Sequence, residues 1–231
     1  MPAPPTIYII CSDRGRNGKT LLARALTDHL LIEERDPFCF DLGAPEGALR
    51  AFFPGRTALI DITDDKGRAK LFDILLARAG RDYVIDVPAT HLARFLESAN
   101  EASLAEAAKA KGFQVCVLFL VDRDPASLKM AVALEDMLQP DLLVPAINRF
   151  VGTSLPEGVP GPLIVIDKIE GELRVLISHR RFSFRSFLLG DESAVPARLR
   201  PGLKNFLHGV IDGLRNIEPA MSLQSLHEAD L

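Results

Sequence analysis

Six consecutive residues near the start of the chain have the side chains and spacing of an anion-binding loop: Gly15-Arg16-Asn17-Gly18-Lys19-Thr20. Glycines let the backbone turn sharply and bring N–H groups close to a phosphate, a lysine supplies positive charge, and a threonine hydroxyl can ligate Mg²⁺. The general phosphate-loop pattern, G-x-x-x-x-G-K-[ST], is met at Gly18, Lys19 and Thr20, whereas its first glycine position holds Asp13. These residues predict a site for the phosphates of a nucleotide and its magnesium ion.

The segments on either side of the loop supply the context that such a loop needs. Thr6 to Cys11 is a short apolar run rich in β-branched residues, which predicts a buried strand. From Lys19 to Leu31 the apolar residues recur at helical spacing, and we expect an amphipathic helix with Arg24, Thr27 and Asp28 on its polar side. A loop that leaves a buried strand and enters a helix directs N–H groups and the helix dipole at an anion.

Apolar runs of strand length alternate with helical patterns along the rest of the chain. Further strands are predicted at 38–42, 57–62, 83–87, 115–121 and 142–148. Helices are predicted near 66–78, 89–110, 127–138 and 201–217. Strands that are almost wholly apolar and alternate with helices indicate an α/β fold of three layers, a doubly wound and mostly parallel sheet with helices on both faces.

The last third of the chain gives fewer structural signals. Pro145 inside its predicted strand favours an edge strand or a bulge. Residues 163–166 and 173–177 are expected to pair as a hairpin, and 218–231 to form a flexible polar tail. No linker or shift in composition divides the chain, so we expect residues 1–231 to form a single domain.

Composition argues against several classes of protein. The net charge of −4 gives no overall basic character, so contact with DNA would need a local patch. The N-terminus lacks the pattern of a signal peptide, and the longest apolar run, Val115 to Val121, is too short to span a membrane. Cys11, Cys39 and Cys116 lie in apolar segments, which favours buried reduced thiols and a cytoplasmic protein.

The front of the loop departs from the general pattern in an informative way. Arg14-Gly15-Arg16-Asn17-Gly18-Lys19-Thr20 resembles K-G-G-x-G-K-[ST], the deviant loop of the ParA/MinD family of P-loop ATPases. The resemblance implies ATP and Mg²⁺ as cofactors and a homodimer that closes around two nucleotides. It places Arg14 where the family has a lysine that reaches the partner's phosphates, and Arg16 where it has a second glycine. Arg14 and Lys19 are thus candidate catalytic residues, although Arg14 could instead be a solvated loop residue.

Two aspartates at strand ends match the switch regions of that family. The family has an acidic residue after its second strand that orients the attacking water, which implies this role for Asp41. The alternative is an aspartate that caps the following loop. Tyr83-Val84-Ile85-Asp86-Val87-Pro88 resembles the family's D-x-P switch, which implies that Asp86 holds the Mg²⁺ shell; a structural salt bridge is the alternative. The implied metal-site residues are Thr20, Asp41 and Asp86.

A third strand end resembles the base-reading element of the family. The strand at 142–148 ends in Asn148-Arg149, similar to the family's N-R or N-K, whose asparagine reads the purine base. An asparagine also commonly terminates a strand as part of a turn, so that alternative stays open.

The resemblance implies a Mg²⁺-dependent ATPase that acts as a nucleotide-switched dimer in partition, DNA transfer or cargo positioning. A regulatory or cargo protein would be its partner, and non-specific DNA contact could place it on the nucleoid. Two other functions stay open. One is an ATP-dependent small-molecule ligase or kinase that resembles dethiobiotin synthetase. The other is a nucleotide-binding adaptor with little hydrolysis, which Asp13, Arg14 and Arg16 favour.

A basic and aromatic stretch, His179 to Arg185, could contact DNA. We favour an arrangement with its phenylalanines buried and its arginines in solvent.

Overall fold

Seven parallel strands form one sheet in the computed structural model, which describes residues 4–77, 80–152, 162–169 and 171–229, the last six without their side chains. The strands are β1 (Thr6–Cys11), β2 (Phe38–Asp41), β3 (Thr57–Leu59), β4 (Tyr83–Asp86), β5 (Gln114–Val121), β6 (Leu142–Asn148) and β7 (Ile164–Ile166). The helices are α1 (Lys19–Ile32), α2 (Asp65–Ala77), α3 (Leu92–Glu101), α4 (Leu104–Ala110), α5 (Pro125–Leu138), α6 (Gly171–Ser178), α7 (Phe184–Leu188), α8 (Arg200–Arg215) and α9 (Ile217–Ala229).

The sheet separates two hydrophobic cores. All six residues of β1 are buried, and successive side chains point to opposite faces, so Tyr8 and Ile10 enter one core while Ile7 and Ile9 enter the other. The first core is closed by α1 and by α6 to α9, and the second by α2 to α5. The predicted three-layer α/β fold is therefore confirmed.

The strand order creates a crevice beside β1. The order is β3-β2-β4-β1-β5-β6-β7, so β1 pairs with β4 on one side and with β5 on the other. The chain leaves β1 for α1 on one face, but it leaves β4 for α3 on the opposite face. Neighbouring strands whose connections diverge in this way leave a crevice at their carboxyl ends, where ligands bind in open α/β sheets.

Helix α1 is buried much more completely than an amphipathic pattern predicts. Every residue from Leu22 to Leu30 is buried, including Arg24, Thr27 and Asp28, which we expected in solvent. The physical reason is the cover of α7 and α8, which pack on the side of α1 that faces away from the sheet.

The last third of the chain differs from expectation in two places. The predicted hairpin is wrong, because only 164–166 is a strand and 173–177 lies in α6. Leu173 and Ile177 are buried on one side of the helix while Val175 is 73% exposed, a spacing that suits a helix and not a strand. The expected tail differs too, because α9 begins at Ile217 and its Met221 is 1% exposed.

The proline in β6 lies where one side of the strand is unpaired. β5 pairs along β6 from Leu142 to Ile147, but β7 pairs only from Ala146 onward. At Pro145 the β7 side is thus locally an edge, as the sequence predicted, and the missing N–H is tolerated there.

Two amphipathic segments bury their apolar sides, and the basic and aromatic stretch does so as predicted. Phe182 and Phe184 are buried while Arg181 and Arg185 are exposed, and the apolar side of α8 packs into the first core. No helix among the described residues is long and apolar enough to cross a membrane.

Candidate functional site

A cavity of about 1060 Å³ opens at the carboxyl ends of β1 to β4, where the crevice lies. Its walls come from the predicted phosphate loop, from the loop after β2, from the segment after β4, and from one residue of the last third of the chain. The lining includes Gly15, Arg16, Gly18, Lys19, Thr20, Asp41, Arg50, Asp86, Pro88, Thr90 and Arg180. The topology therefore brings most of the predicted site residues together.

Gly18 is the glycine that the loop geometry requires. Its φ is +105°, and a Cβ there would lie 2.7 Å from Asn148 Nδ2. Arg16 occupies the position where the ParA/MinD family has its second glycine. Its φ is +60°, so this residue is left-handed although it is not a glycine. A Cβ added at Gly15 would have no neighbour within 4 Å among the described residues, so no close contact requires a glycine at this position. The position that requires a glycine is therefore Gly18, directly before Lys19.

Lys19 is folded back onto its own loop. Its Nζ donates to the carbonyl oxygen of Arg14 at 2.7 Å and to Asn17 Oδ1 at 3.3 Å. Burial lowers the pKa of Lys19, while the nearby carboxylate of Asp86 acts in the opposite direction. The ammonium is thus held inside the loop by acceptors that an incoming phosphate could replace.

Thr20 and Asp86 form the central pair of the site. Thr20 Oγ1 donates to Asp86 Oδ2 at 2.6 Å, across the crevice between the start of α1 and the end of β4. Asp86 is 4% exposed. Burial raises its pKa to about 7 and the charge of Asp41 adds to the increase, whereas the Thr20 hydroxyl and Lys19 act against it. A buried carboxylate whose charge is this poorly compensated is a place for a cation.

These oxygen donors fit Mg²⁺, a hard ion that binds one or two protein ligands together with water and substrate phosphates. Within the described ranges there is no group of three or more His, Cys, Asp or Glu side chains placed to hold a metal by themselves. Thr20 and Asp86, two of the three residues predicted for the metal site, would hold the ion from the protein side.

Asp41 lies beside Asp86 in the strand register, but its carboxylate is already engaged. Oδ1 accepts from the N–H of Gly43 at 2.9 Å, and Oδ2 accepts from the N–H groups of Leu49 and Arg50 at 2.7 and 3.0 Å. This is the loop-capping arrangement named as the alternative to a catalytic role. Asp41 lines the cavity while it holds the loop after β2 in place.

Arg14 points away from the cavity. Its guanidinium lies 2.7 Å from Asp124 Oδ2 at the start of α5 and 3.6 Å from Asp13, and its side chain is half exposed. Asp13 accepts a hydrogen bond from Ser127 Oγ at 2.8 Å, which ties the front of the loop to the same helix. Arg14 is a surface residue bound to its own chain in this structure.

The two predicted asparagines hold the phosphate loop from behind. Asn17 is buried, and its Nδ2 donates to Ser12 Oγ and to the carbonyl of Leu120 in β5. Asn148 Nδ2 donates to the carbonyl of Asn17 at 2.9 Å, and Asn148 Oδ1 accepts from the N–H of Phe150. Both ends of the Asn148 amide are thus used within the chain, in the turn chemistry named as the alternative.

Arg149 extends outward and forms an ion pair with Asp167 at 2.8 Å. Neither Arg149 nor Asn148 lines the cavity. The loop that follows, 153–161, is outside the described residues.

Sequence reasoning missed two cationic residues of the cavity, Arg50 and Arg180. Arg180 belongs to the basic and aromatic stretch, so a signal was present, but nothing in its local pattern indicated a position near residue 19. Arg50 follows the loop that Asp41 caps, and no motif marks it.

No protein-family model matches the chain, and no curated protein matches its sequence. Among solved structures the chain is similar to a nucleotide-binding protein from Archaeoglobus fulgidus in complex with ADP and with cobalt. The two are 13% identical with a TM-score of 0.49, over 76% of this chain and 86% of the other.

Proposed function

We propose that this chain binds a nucleoside triphosphate with Mg²⁺ and acts as a P-loop ATPase of the ParA/MinD type, switched by its nucleotide. The observation that carries the proposal is the hydrogen bond of 2.6 Å in the cavity wall between Asp86 and Thr20, the residue that directly follows Gly18 and Lys19. It joins the two residues that a phosphate-loop metal site needs, and they lie 66 positions apart in the chain.

The residues of the site divide the task of binding phosphate. Gly18 and the start of α1 present backbone N–H groups, and Lys19 exchanges the carbonyl of Arg14 for the β- and γ-phosphate oxygens. Thr20 and Asp86 would hold Mg²⁺, which would supply charge to stabilise the negative oxygens of the transferring phosphoryl group. Asp41 and the loop that it caps close the cavity from the β2 side.

A dimer switch would use the surface position of Arg14. Its ion pair with Asp124 is between half-exposed groups, and such a pair contributes about 0–1 kcal/mol. Arg14 can therefore leave Asp124 and bind a nucleotide phosphate of a second copy at a small cost in free energy. This supports the role that the resemblance implies for Arg14. In that state the homodimer would present a surface to its cargo or to DNA.

One observation favours a second candidate, an adaptor that binds nucleotide with little hydrolysis. Every oxygen contact of Asp41 goes to backbone N–H groups of its own loop, which leaves it poorly placed to orient water. The two candidates differ in turnover. An ATPase should lose phosphate release in the Asp41→Ala variant, whereas an adaptor should show the same low rate in both proteins.

Titration with a fluorescent ATP analogue in the presence of Mg²⁺ tests nucleotide binding. We expect Lys19→Ala to abolish binding, because it removes the charge that faces the phosphates. Lys129→Ala is the matched control, since Lys129 is an exposed lysine of α5 outside the cavity, and it should bind like the wild type. Equal affinities of the wild type and Lys19→Ala would refute the proposal.

A further inference from the structure

Arg180 is a cation of the cavity wall that the proposed function has not used. It lies between α6 and α7, is exposed, and lines the same cavity as Lys19 and Thr20. Across the described part of the chain, no carboxylate lies within ion-pair distance of its guanidinium. An arginine that faces an anion site with its donors unpaired can bind phosphate oxygens in a bidentate manner.

The turn that carries Arg180 is held by a buried arginine of α1. The Arg24 guanidinium donates to the carbonyl of Ile177 at 2.9 Å and to that of Phe182 at 3.4 Å, so its two acceptors bracket Arg180 in the sequence. Arg24 is 4% exposed, and its charged plane lies 4.7 Å from the ring centre of Phe184. Buried charge-assisted hydrogen bonds of this kind are stronger than neutral ones and fix the position of their acceptors.

A second contact fastens the far end of the same turn to α1. Asp28, one helical turn after Arg24, accepts from the N–H of Phe184 at 3.0 Å. The rings of Phe182 and Phe184 pack edge to face with centres 5.7 Å apart in the first core. Arg180 therefore lies in a turn that is bound to α1 at both ends.

The anchor is the helix that begins with Lys19 and Thr20. Helices are stiff along their length, so a turn fixed at Arg24 and Asp28 keeps a constant distance from the phosphate loop. The Arg24 side chain also lies 3.5 Å from the ring centre of Phe52, which belongs to the segment after β2. One helix thus ties together three parts of the cavity wall.

The lining shows which end of a nucleotide would face Arg180. The cavity lies over the ends of β1 to β4 and contains Thr20 and Asp86, the metal pair, whereas Asn148 at the end of β6 is not in its wall. Mg²⁺ held by Thr20 and Asp86 would supply its charge to the terminal phosphates of the nucleotide. The anion beside Arg180 would therefore be the terminal phosphate and not the base or sugar.

We infer that Arg180 binds the terminal phosphate of the nucleoside triphosphate, supplied from the last third of the same chain. The inference rests on the proposed nucleotide site and adds to it a residue that distinguishes a triphosphate from a diphosphate. Arg24 and Asp28 act through the turn as positioning residues.

The test compares the affinities of Arg180→Ala for a non-hydrolysable ATP analogue and for ADP, both with Mg²⁺, by titration calorimetry. We expect the ATP analogue to bind about tenfold more weakly or worse than to the wild type, and ADP to bind within about threefold, because only the ATP analogue has a γ-phosphate for the guanidinium. Arg180→Lys should recover part of the loss, since it keeps the charge and loses the fork.

Arg181→Ala is the matched control, because Arg181 is the exposed neighbour that does not line the cavity. It should bind both nucleotides like the wild type. An unchanged ATP-to-ADP preference in Arg180→Ala, with Lys19→Ala inactive, would overturn this inference and leave the proposed function standing. Failure of the wild type to bind either nucleotide would overturn both.

Discussion

At the scale of single residues, the two loop glycines meet different constraints. Gly18 combines a left-handed φ with a neighbour 2.7 Å from the position of a Cβ, whereas a Cβ at Gly15 would meet open space. We expect Gly18→Ala to lower the free energy of unfolding by about 1–3 kcal/mol and to abolish nucleotide binding. Gly15→Ala should change stability by less than about 0.5 kcal/mol. Chemical denaturation and nucleotide titration of the pair give both readouts, and equal losses in the two variants would contradict the prediction.

Residue types and spacing were enough to predict that Lys19, Thr20 and Asp86 lie together at one end of the sheet, because a glycine-containing loop and an aspartate each follow an apolar strand in a fixed local pattern. They were not enough for Asp41 and Asn148. Both are polar residues at strand ends, where catalysis, base reading and loop capping use the same side chains, and only the hydrogen bonds to Leu49 and Phe150 show the capping.

At the scale of elements, α1 supports more than the phosphate loop. Arg24→Met would leave the buried carbonyls of Ile177 and Phe182 without a donor. We expect it to destabilise the fold by about 3 kcal/mol or more and to weaken binding of the ATP analogue. Arg180→Ala, which removes an exposed side chain, should leave thermal unfolding almost unchanged. If Arg24→Met unfolded at the same temperature as the wild type, these hydrogen bonds would not contribute to stability.

Asp28 makes the same element sensitive to pH. Burial raises the pKa of Asp28 to about 6. The N–H groups of Arg185 and Phe184 and the charge of Arg24 lower it, but by less. In the unfolded chain the Asp28 carboxyl group loses its proton at about pH 4, whereas in the folded protein it keeps the proton up to about pH 6. As pH rises between these values, the wild type therefore loses stability relative to Asp28→Asn. We expect a relative loss of up to about 3 kcal/mol, complete above about pH 7.

Urea unfolding of both proteins at a series of pH values measures this difference. A constant gap between the wild type and Asp28→Asn from pH 4 to 7 would contradict the prediction. Sequence alone could not have suggested it, because a charged residue in a helix is expected in solvent unless a distant segment covers it, and here the cover comes from Phe184.

At the scale of the whole molecule, α9 closes the first core. Met221 is 1% exposed, whereas Leu223 is 59% exposed on the same helix. We expect Met221→Ala to cost about 2–5 kcal/mol and Leu223→Ala to be nearly neutral, as measured by thermal unfolding. Similar melting temperatures for the two variants would mean that α9 does not pack on the core in solution.

Self-association is the second property of the whole molecule that can be tested. We expect Mg²⁺ and a non-hydrolysable ATP analogue to convert the wild type into a dimer, and Arg14→Ala to bind nucleotide but stay monomeric, because Arg14 would bind the phosphates of the second copy. Light scattering at matched concentrations measures this. A monomeric wild type with bound nucleotide would argue against the switch and leave nucleotide binding intact.

The hydrogen bonds between Arg24 and the last third of the chain also have a consequence for folding during translation. The nearer acceptor of Arg24 is 153 residues away, and the other is 158 residues away. While the ribosome is still making the protein, the first helix therefore carries a guanidinium without its carbonyls, and the phosphate loop has no Arg180 opposite it. Translation can release the β1–α1 unit early, but the cavity wall is complete only after residue 182 has emerged. A truncated or stalled product would then hold the phosphate-loop motif without the finished site.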